Sequence, residues 1–307
     1  MTSYAYLGPR GTFAETALRL LPAADGCEHV AFASVGLALA AVRRGEVAGA
    51  LVPIENSIEG SVPSTLDDLA SGDQLQIIDE VTIPVRFALI ARPGTELASV
   101  KTVATHPHAE AQTRGWLYGF LPGVTLLPAL STAAAVQRLA EEPQPYDAAV
   151  AAPLAAELYG MQVLVEGIAD NDEASTRFVL VSNPGPLPSP TGADKTTLFL
   201  YIREDHPGAL LEILTEFAVR GVNLTRIESR PTKRALGDYY FSVDVEGHVA
   251  DERVGEALMG LQRVCADIRF LGSYARHDGK NSHVRIGTSD ENFRAAREWL
   301  GQIRQDG

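Results

Sequence analysis

A hydroxyl and a guanidinium stand side by side where an apolar strand begins. Thr176 and Arg177 precede Phe178-Val179-Leu180-Val181 in the stretch DNDEASTRFVLV, residues 170–181. Arginine presents a planar fork of donors that suits a carboxylate. Threonine is β-branched and stiff at χ1, so it holds its one donor rigidly. The competing reading is a solvated strand start, with Arg177 paired to Asp172 or Glu173. In a regular strand Thr176 and Phe178 share a face and Arg177 points the other way. Both polar groups therefore reach one ligand only where the strand is not yet regular.

The elements that must position this pair are legible upstream. The first 182 residues alternate short apolar strands with amphipathic helical patterns, which points to parallel α/β layers. A strand over 4–7 meets Gly8-Pro9-Arg10-Gly11, and Thr12 starts a helix with Glu15 three positions on, a capping box. Ser34 starts a second helix, and a strand over 49–54 runs into Glu55-Asn56-Ser57. The extended region 77–91 reads as a crossover between two lobes. The pattern then repeats, with a strand over 102–105, His106-Pro107-His108, a helix, a second helix from Ser131-Thr132 and a strand over 147–151. Two similar lobes joined by crossover strands imply a cleft, with ligands at the carboxyl ends of strands and at helix N-termini.

Residues 184–190 carry four prolines in seven positions and read as a semi-rigid linker. After it come a strand, a helix beginning near Gly208, two strands, a helix and a last strand ending near 274, in the order βαββαβ, which is ferredoxin-like. In the tail, Ser289 caps an expected helix with Phe293, Ala296, Leu300 and Ile303 on one face. The expected partition is 1–183, a linker over 184–194, 195–277 and a tail over 278–307.

The net charge of −13, from 39 acidic and 26 basic residues, argues against nucleic acid and anionic membranes as partners. Two distant cysteines, Cys27 and Cys265, point to a reduced, cytoplasmic setting. No signal-peptide pattern opens the chain, and no apolar run is long enough for a membrane span.

Several motifs in order give the chain a family likeness. GPRGTFAE (8–15), VPIENSIEGSV (52–62), Thr176-Arg177-Phe178 and the later GAL (208–210) and ESRP (228–231) resemble the prephenate dehydratases, over residues 3 to about 277. The resemblance implies a two-lobed α/β catalytic domain of the type II periplasmic-binding-protein kind, followed by a ferredoxin-like ACT regulatory domain. It implies loss of the ring hydroxyl and ring carboxylate of prephenate to give phenylpyruvate, water and carbon dioxide, in a homodimer or homotetramer. Aromatisation drives this reaction, so no cofactor is needed.

The same resemblance assigns roles. Thr176 acts on the leaving hydroxyl; Arg177 is expected on the carboxylate that stays, because an ion pair to the leaving one would stabilise the ground state. A threonine hydroxyl is a very weak acid, so Thr176 is expected as a positioned donor to the departing oxygen, with the proton passed from a water or from a neighbour, for which Glu55 and His106 are the candidates. Asn56 and Ser57 offer neutral donors to carboxylate oxygens. Thr12, Ser131 and Thr132 mark helix starts that suit an anion. Phe178 packs on the substrate ring or in the core. His106 and His108 lack a third ligand, so no metal is expected. In the second domain Gly208, Ala209, Leu210, Asn223, Glu228, Ser229, Arg230 and Pro231 are implied to bind L-phenylalanine between paired domains. Two alternatives stay open, an arogenate dehydratase and a non-enzymatic cytosolic sensor of amino or keto acids.

Overall fold

The structure, a computed structural model, describes residues 2–141, 144–204, 206–233 and 238–305. The chain forms two compact units, Met1–Asp68 with Val81–Leu180, and Leu69–Glu80 with Val181–Gly307.

The first unit has two lobes. The first lobe opens with β1 (Ser3–Leu7), α1 (Phe13–Leu18), β2 (Glu28–Phe32), α2 (Val35–Arg43), β3 (Gly49–Asn56), β4 (Gly60–Ser61) and α3 (Pro63–Ala70). The chain crosses through β5 (Gln76–Pro84) to β6 (Ala88–Ala91). The second lobe continues with β7 (Thr102–Thr105), α4 (Pro107–Phe120), β8 (Thr125–Pro128), α5 (Thr132–Glu141), β9 (Ala148–Ala151), α6 (Pro153–Tyr159) and β10 (Gln162–Glu166), before β11 (Ser175–Ser182) returns to the first. The two sheets run β2-β1-β3-β11-β5, with β4 on β3, and β10-β6-β9-β7-β8. In each, the first strand of a β-α-β-α-β unit lies parallel to, and between, the other two: β1 between β2 and β3, β7 between β8 and β9. The internal repeat expected from the sequence is this shared topology.

The expected single crossover over 77–91 is two strands. Pro84 ends β5, because proline has no N–H to give a ladder, and β6 belongs to the other sheet. Pro153 does not merely close a strand. It opens α6, where its missing N–H costs nothing. The capping box is displaced by one residue. Thr12 Oγ1 accepts from Glu15 N at 3.4 Å, but the Glu15 carboxylate reaches Gly11 N at 2.7 Å. Burial works to raise the pKa of Glu15; that hydrogen bond and Arg19 outweigh it, and the pKa is lowered.

The second unit carries β12 (Asp194–Ile202), α7 (Ala209–Ala218), β13 (Leu224–Pro231), β14 (Tyr239–Glu246), α8 (Glu252–Val264), β15 (Cys265–Ala275) and α9 (Asp290–Gln305). Its sheet is antiparallel in the order β13-β14-β12-β15. Alternation along β12 and β14 sends Leu198, Leu200, Val243 and Val245 into a core with Ile213 and Phe217 of α7 and Val254 and Leu261 of α8. The intervening positions make a buried polar network. Arg226 donates to Asp244 at 2.9 Å and to Ser242 at 2.8 Å, and Thr197 donates to Asp244 at 2.7 Å. Lys195 meets both oxygens of Glu80, at 3.0 and 2.9 Å, with the two side chains 11% and 4% exposed.

Within this unit the proline-rich stretch is tied down, with Gly185 N on Gln76 at 3.0 Å and the His248 ring 3.0 Å from Pro188 O. Ser289 caps α9 as expected, accepting from Asn292 N. Among the described residues the apolar stripe of α9 is not buried. Arg297 and Arg294 hold α9 to Glu252 of α8, while Leu300 and Ile303 remain exposed, because the arginines occupy the side of α9 that faces α8.

Candidate active site

The carboxyl ends of the strands of both lobes open on one cavity of about 410 Å3 in the first unit. Phe13, Val85, Phe87 and Leu130 give it an apolar wall, and Asn56, Glu59, His106, His108, Gln112, Ser131, Thr132 and Thr176 a polar one.

Thr176 is set by its neighbour across the sheet. Asn56 Oδ1 accepts from Ile58 N at 2.9 Å and Glu59 N at 3.1 Å, so its amide nitrogen must face Thr176, where it donates to Oγ1 at 2.9 Å. Thr176 thus accepts from Asn56, and its own O–H proton is left for another acceptor. Asn56 serves a turn and orients the threonine at once.

The sheet separates Thr176 from Arg177. β11 is already regular at Ser175, so strand alternation applies. Asn56 and Thr176 share the cavity face, whereas Arg177 is buried and meets Glu55 at 3.6 Å, away from the cavity wall. The ion pair from Arg177 to Asp172 is not formed either; Asp172 meets Arg86 at 3.3 Å. Phe178 is 3% exposed and lies in the core. Ser57 Oγ accepts from Ser175 N at 3.0 Å and lies off the cavity wall. Thr12 Oγ1 donates to Leu7 O at 2.8 Å while capping α1, so its hydroxyl is used, and it too lies off the wall.

Two helix starts do reach the cavity. Ser131 Oγ accepts from Ala134 N at 3.0 Å at the head of α5, with Thr132 beside it. His106 is the N-cap of α4, its Nδ1 accepting from His108 N at 3.3 Å. That bond requires the proton on Nε2, the neutral tautomer. Burial lowers the pKa of His106, His108 lowers it further, and Glu59 opposes them. A histidine held neutral by folding stabilises the fold above its unfolded pKa of about 6.5 and loses that contribution as pH falls through its lower folded value. Asparagine caps as well and does not titrate. His106→Asn should therefore flatten the loss of thermal stability between neutral and mildly acidic pH, and an unchanged slope would assign that loss elsewhere.

Glu59 and Gln112 are polar wall residues that the sequence alone does not single out, and His108 is one that it brings forward only as half of an incomplete metal-ligand set. His108 and Gln112 stand four apart on α4, a spacing that shares one face, but Glu59 meets them only because the lobes are apposed. Among the described residues no group of three or more His, Cys, Asp or Glu side chains is arranged to hold a metal, and no helix is long and apolar enough to cross a membrane.

In the second unit, Gly208 is the N-cap of α7 at φ +100°, a left-handed conformation suited to glycine, with no side-chain cap. Ala209 is buried and Leu210 exposed. Glu228, Ser229, Arg230 and Pro231 lie on β13, an edge strand, where Arg230 meets Glu228 at 3.3 Å. Asn223 precedes that strand, exposed, its carbonyl accepting from Glu246 N. A cavity of about 470 Å3 lies at one end of this sheet, between Tyr201, Arg203, Asp238 and Arg269, and none of these motif residues is on its wall.

Fold and cavity together define a two-lobed α/β unit with a polar cavity at its strand ends, followed in the chain by a ferredoxin-like unit. The prephenate dehydratase family model matches residues 4–186 and the ACT domain model residues 196–262. A prephenate dehydratase of Amycolatopsis methanolica is 46% identical over 306 residues, 99% of each chain. The crystal structure of a prephenate dehydratase from Arthrobacter aurescens in complex with L-Phe is 51% identical, with a TM-score of 0.95 over 99% of this chain and 100% of that one. A structure described as GqqA, a novel type of quorum-quenching acylase, is 32% identical with a TM-score of 0.82 over 91% and 100%. The chain belongs to the prephenate dehydratase family, hydro-lyases of L-phenylalanine biosynthesis, and carries the ACT domain as its allosteric module.

Proposed function

We propose that the cleft converts prephenate to phenylpyruvate, water and carbon dioxide with Thr176 as the donor to the leaving hydroxyl. The observation that carries this reading is the Asn56–Thr176 hydrogen bond, which leaves the threonine proton free to serve an acceptor in the cavity. The C–CO2 bond breaks, its electron pair enters the ring, and the C–OH bond breaks at the opposite ring carbon, the departing hydroxide taking one proton from solvent to become water. Thr176 stabilises the departing oxygen, and the neutral His106, whose Nε2 carries a proton, supplies a second donor on the same wall.

No arginine or lysine is among the described residues of the cavity wall. The carboxylate that stays is assigned to the N-termini of α4 and α5, whose free amides and dipoles favour an anion, with Ser131 and Thr132 beside it. The carboxylate that leaves is assigned to the apolar side, near Phe13 and Phe87, where no ion pair holds the ground state back. Arg177 and Glu55 support the strands from the opposite face, and Phe178 from the core. This assignment revises the direct substrate contact expected for Arg177. An acylase reading is less well supported, because Thr176 Oγ1 is held by an amide and not by a base that would make it a nucleophile. Equal yields of carbon dioxide and phenylpyruvate from prephenate would bear the reaction out; decarboxylation without phenylpyruvate would exclude it.

The partition into a catalytic domain (1–183), a linker (184–194), a regulatory domain (195–277) and a tail (278–307) is part of the same reading. L-Phenylalanine is the proposed feedback inhibitor, bound at the amides that Gly208 leaves open at the head of α7 and at residues 228–231 of the β13 edge. The exposed edge strand, with Ile227 uncovered on β13 and Leu211 uncovered on α7, supports pairing of two such domains in a homodimer or homotetramer. Two unpaired cysteines fit a cytoplasmic enzyme. Gly208→Ala adds a side chain at a left-handed position, so turnover should persist while inhibition by L-phenylalanine weakens. Undiminished inhibition would move the effector site elsewhere.

A further inference from the structure

Glu59 is the one carboxylate among the described residues of the cavity wall. It sits in the turn after β3, its backbone N donating to Asn56 Oδ1 at 3.1 Å, and is therefore anchored beside the residue that orients Thr176. From the other lobe, His108 Nδ1 meets Glu59 Oε2 at 2.7 Å, and Gln112 donates to Oε1 at 3.4 Å. One turn of α4 thus occupies both oxygens of one carboxylate across the cleft.

A carboxylate in a substrate cavity has chemical consequences. Left open, it attracts an ammonium and repels a carboxylate. Prephenate and arogenate differ at one position, a side-chain ketone in the first and an ammonium in the second. We propose that His108 makes the cleft selective for the 2-keto acid by occupying Glu59, so that no anionic partner is offered to a substrate amine. His108 is a positioning residue here; it acts on the substrate through Glu59. The inference rests on the reading of this cavity as the prephenate site.

The pair is partly solvated, with side chains 67% and 38% exposed, so the effect is that of a rim contact, about fivefold. The test compares kcat/KM for prephenate and arogenate in the full-length enzyme and in His108→Gln, Glu59→Gln and the double variant. The wild type should prefer prephenate. His108→Gln should shift the ratio toward arogenate by about fivefold, and removing Glu59 as well should abolish that shift. An unchanged ratio in His108→Gln overturns the proposal, and so does a shift that survives in the double variant, since His108 would then act on the substrate itself. A wild type that turns over neither substrate, or prefers arogenate, also overturns it. Absent turnover would fail the cavity reading as well, whereas a wild type active on prephenate with no shift in His108→Gln fails this inference alone.

Discussion

Thr176→Val is expected to lower kcat by about a hundredfold to a thousandfold, the cost of removing one donor aimed at developing charge. Valine keeps the β-branched shape and strand propensity of threonine, so β11 should fold as before. What it loses is the O–H that the Asn56 contact leaves free, together with the acceptor for the Asn56 amide. An unmet amide in this half-buried place costs about 1 kcal/mol, which lowers stability without unfolding the chain. Thr176→Ser keeps the hydroxyl but frees its rotation, and should retain more activity than the valine variant. The measurement is steady-state turnover of prephenate beside a circular dichroism melt. A folded valine variant with wild-type kcat would remove Thr176 from the chemistry. Asn56→Ala should act in the same direction through Thr176, since its hydroxyl would then lose the partner that directs it.

Lys195→Met carries the largest expected change in stability. Lys195 and Glu80 form a buried pair in the second unit, and His277 N also donates to Glu80, at 3.1 Å. Removing the cation strands a carboxylate that is 4% exposed, and breaking one partner of such a pair costs about 3–5 kcal/mol. Replacing both members by apolar residues of similar size is usually neutral or better. Lys195→Met with Glu80→Leu should therefore recover most of the loss, short of the bond to His277 N. Thermal unfolding of the two variants and the wild type checks this. A single variant as stable as the wild type would mean that Glu80 is relieved by water or by proton uptake, and the pair would then contribute little.

What the sequence disclosed and what it withheld divide along physical lines. The alternation of apolar strands and helices follows from local periodicity, and it is visible in stretches such as 49–54 and 148–151 without any tertiary information. The proline run over 184–190 was legible as a stretch without helix or strand, and the structure has none there. Asn56, Thr176, His106 and Ser131 line the cavity, and polar groups at strand ends and helix starts are legible as cleft-facing in this kind of fold. Arg177 lies off the cavity wall, because strand alternation turns its side chain to the face opposite Thr176. The contacts of Glu59 with His108 and Gln112 were not legible because they are non-local; the partners are 49 and 53 positions from Glu59 in the chain and belong to the other lobe. The tail shows the same limit. Periodicity marked the apolar stripe of α9, but Arg294 and Arg297, not that stripe, decide which side faces α8.

The most direct measurement is phenylpyruvate formation from prephenate by the purified full-length protein, with and without L-phenylalanine. The expected result is turnover that L-phenylalanine suppresses, linking the cleft around Thr176 to the domain around Gly208. Folded protein that forms no phenylpyruvate would contradict the central claim. Turnover indifferent to saturating L-phenylalanine would leave the catalytic reading standing and overturn the regulatory one.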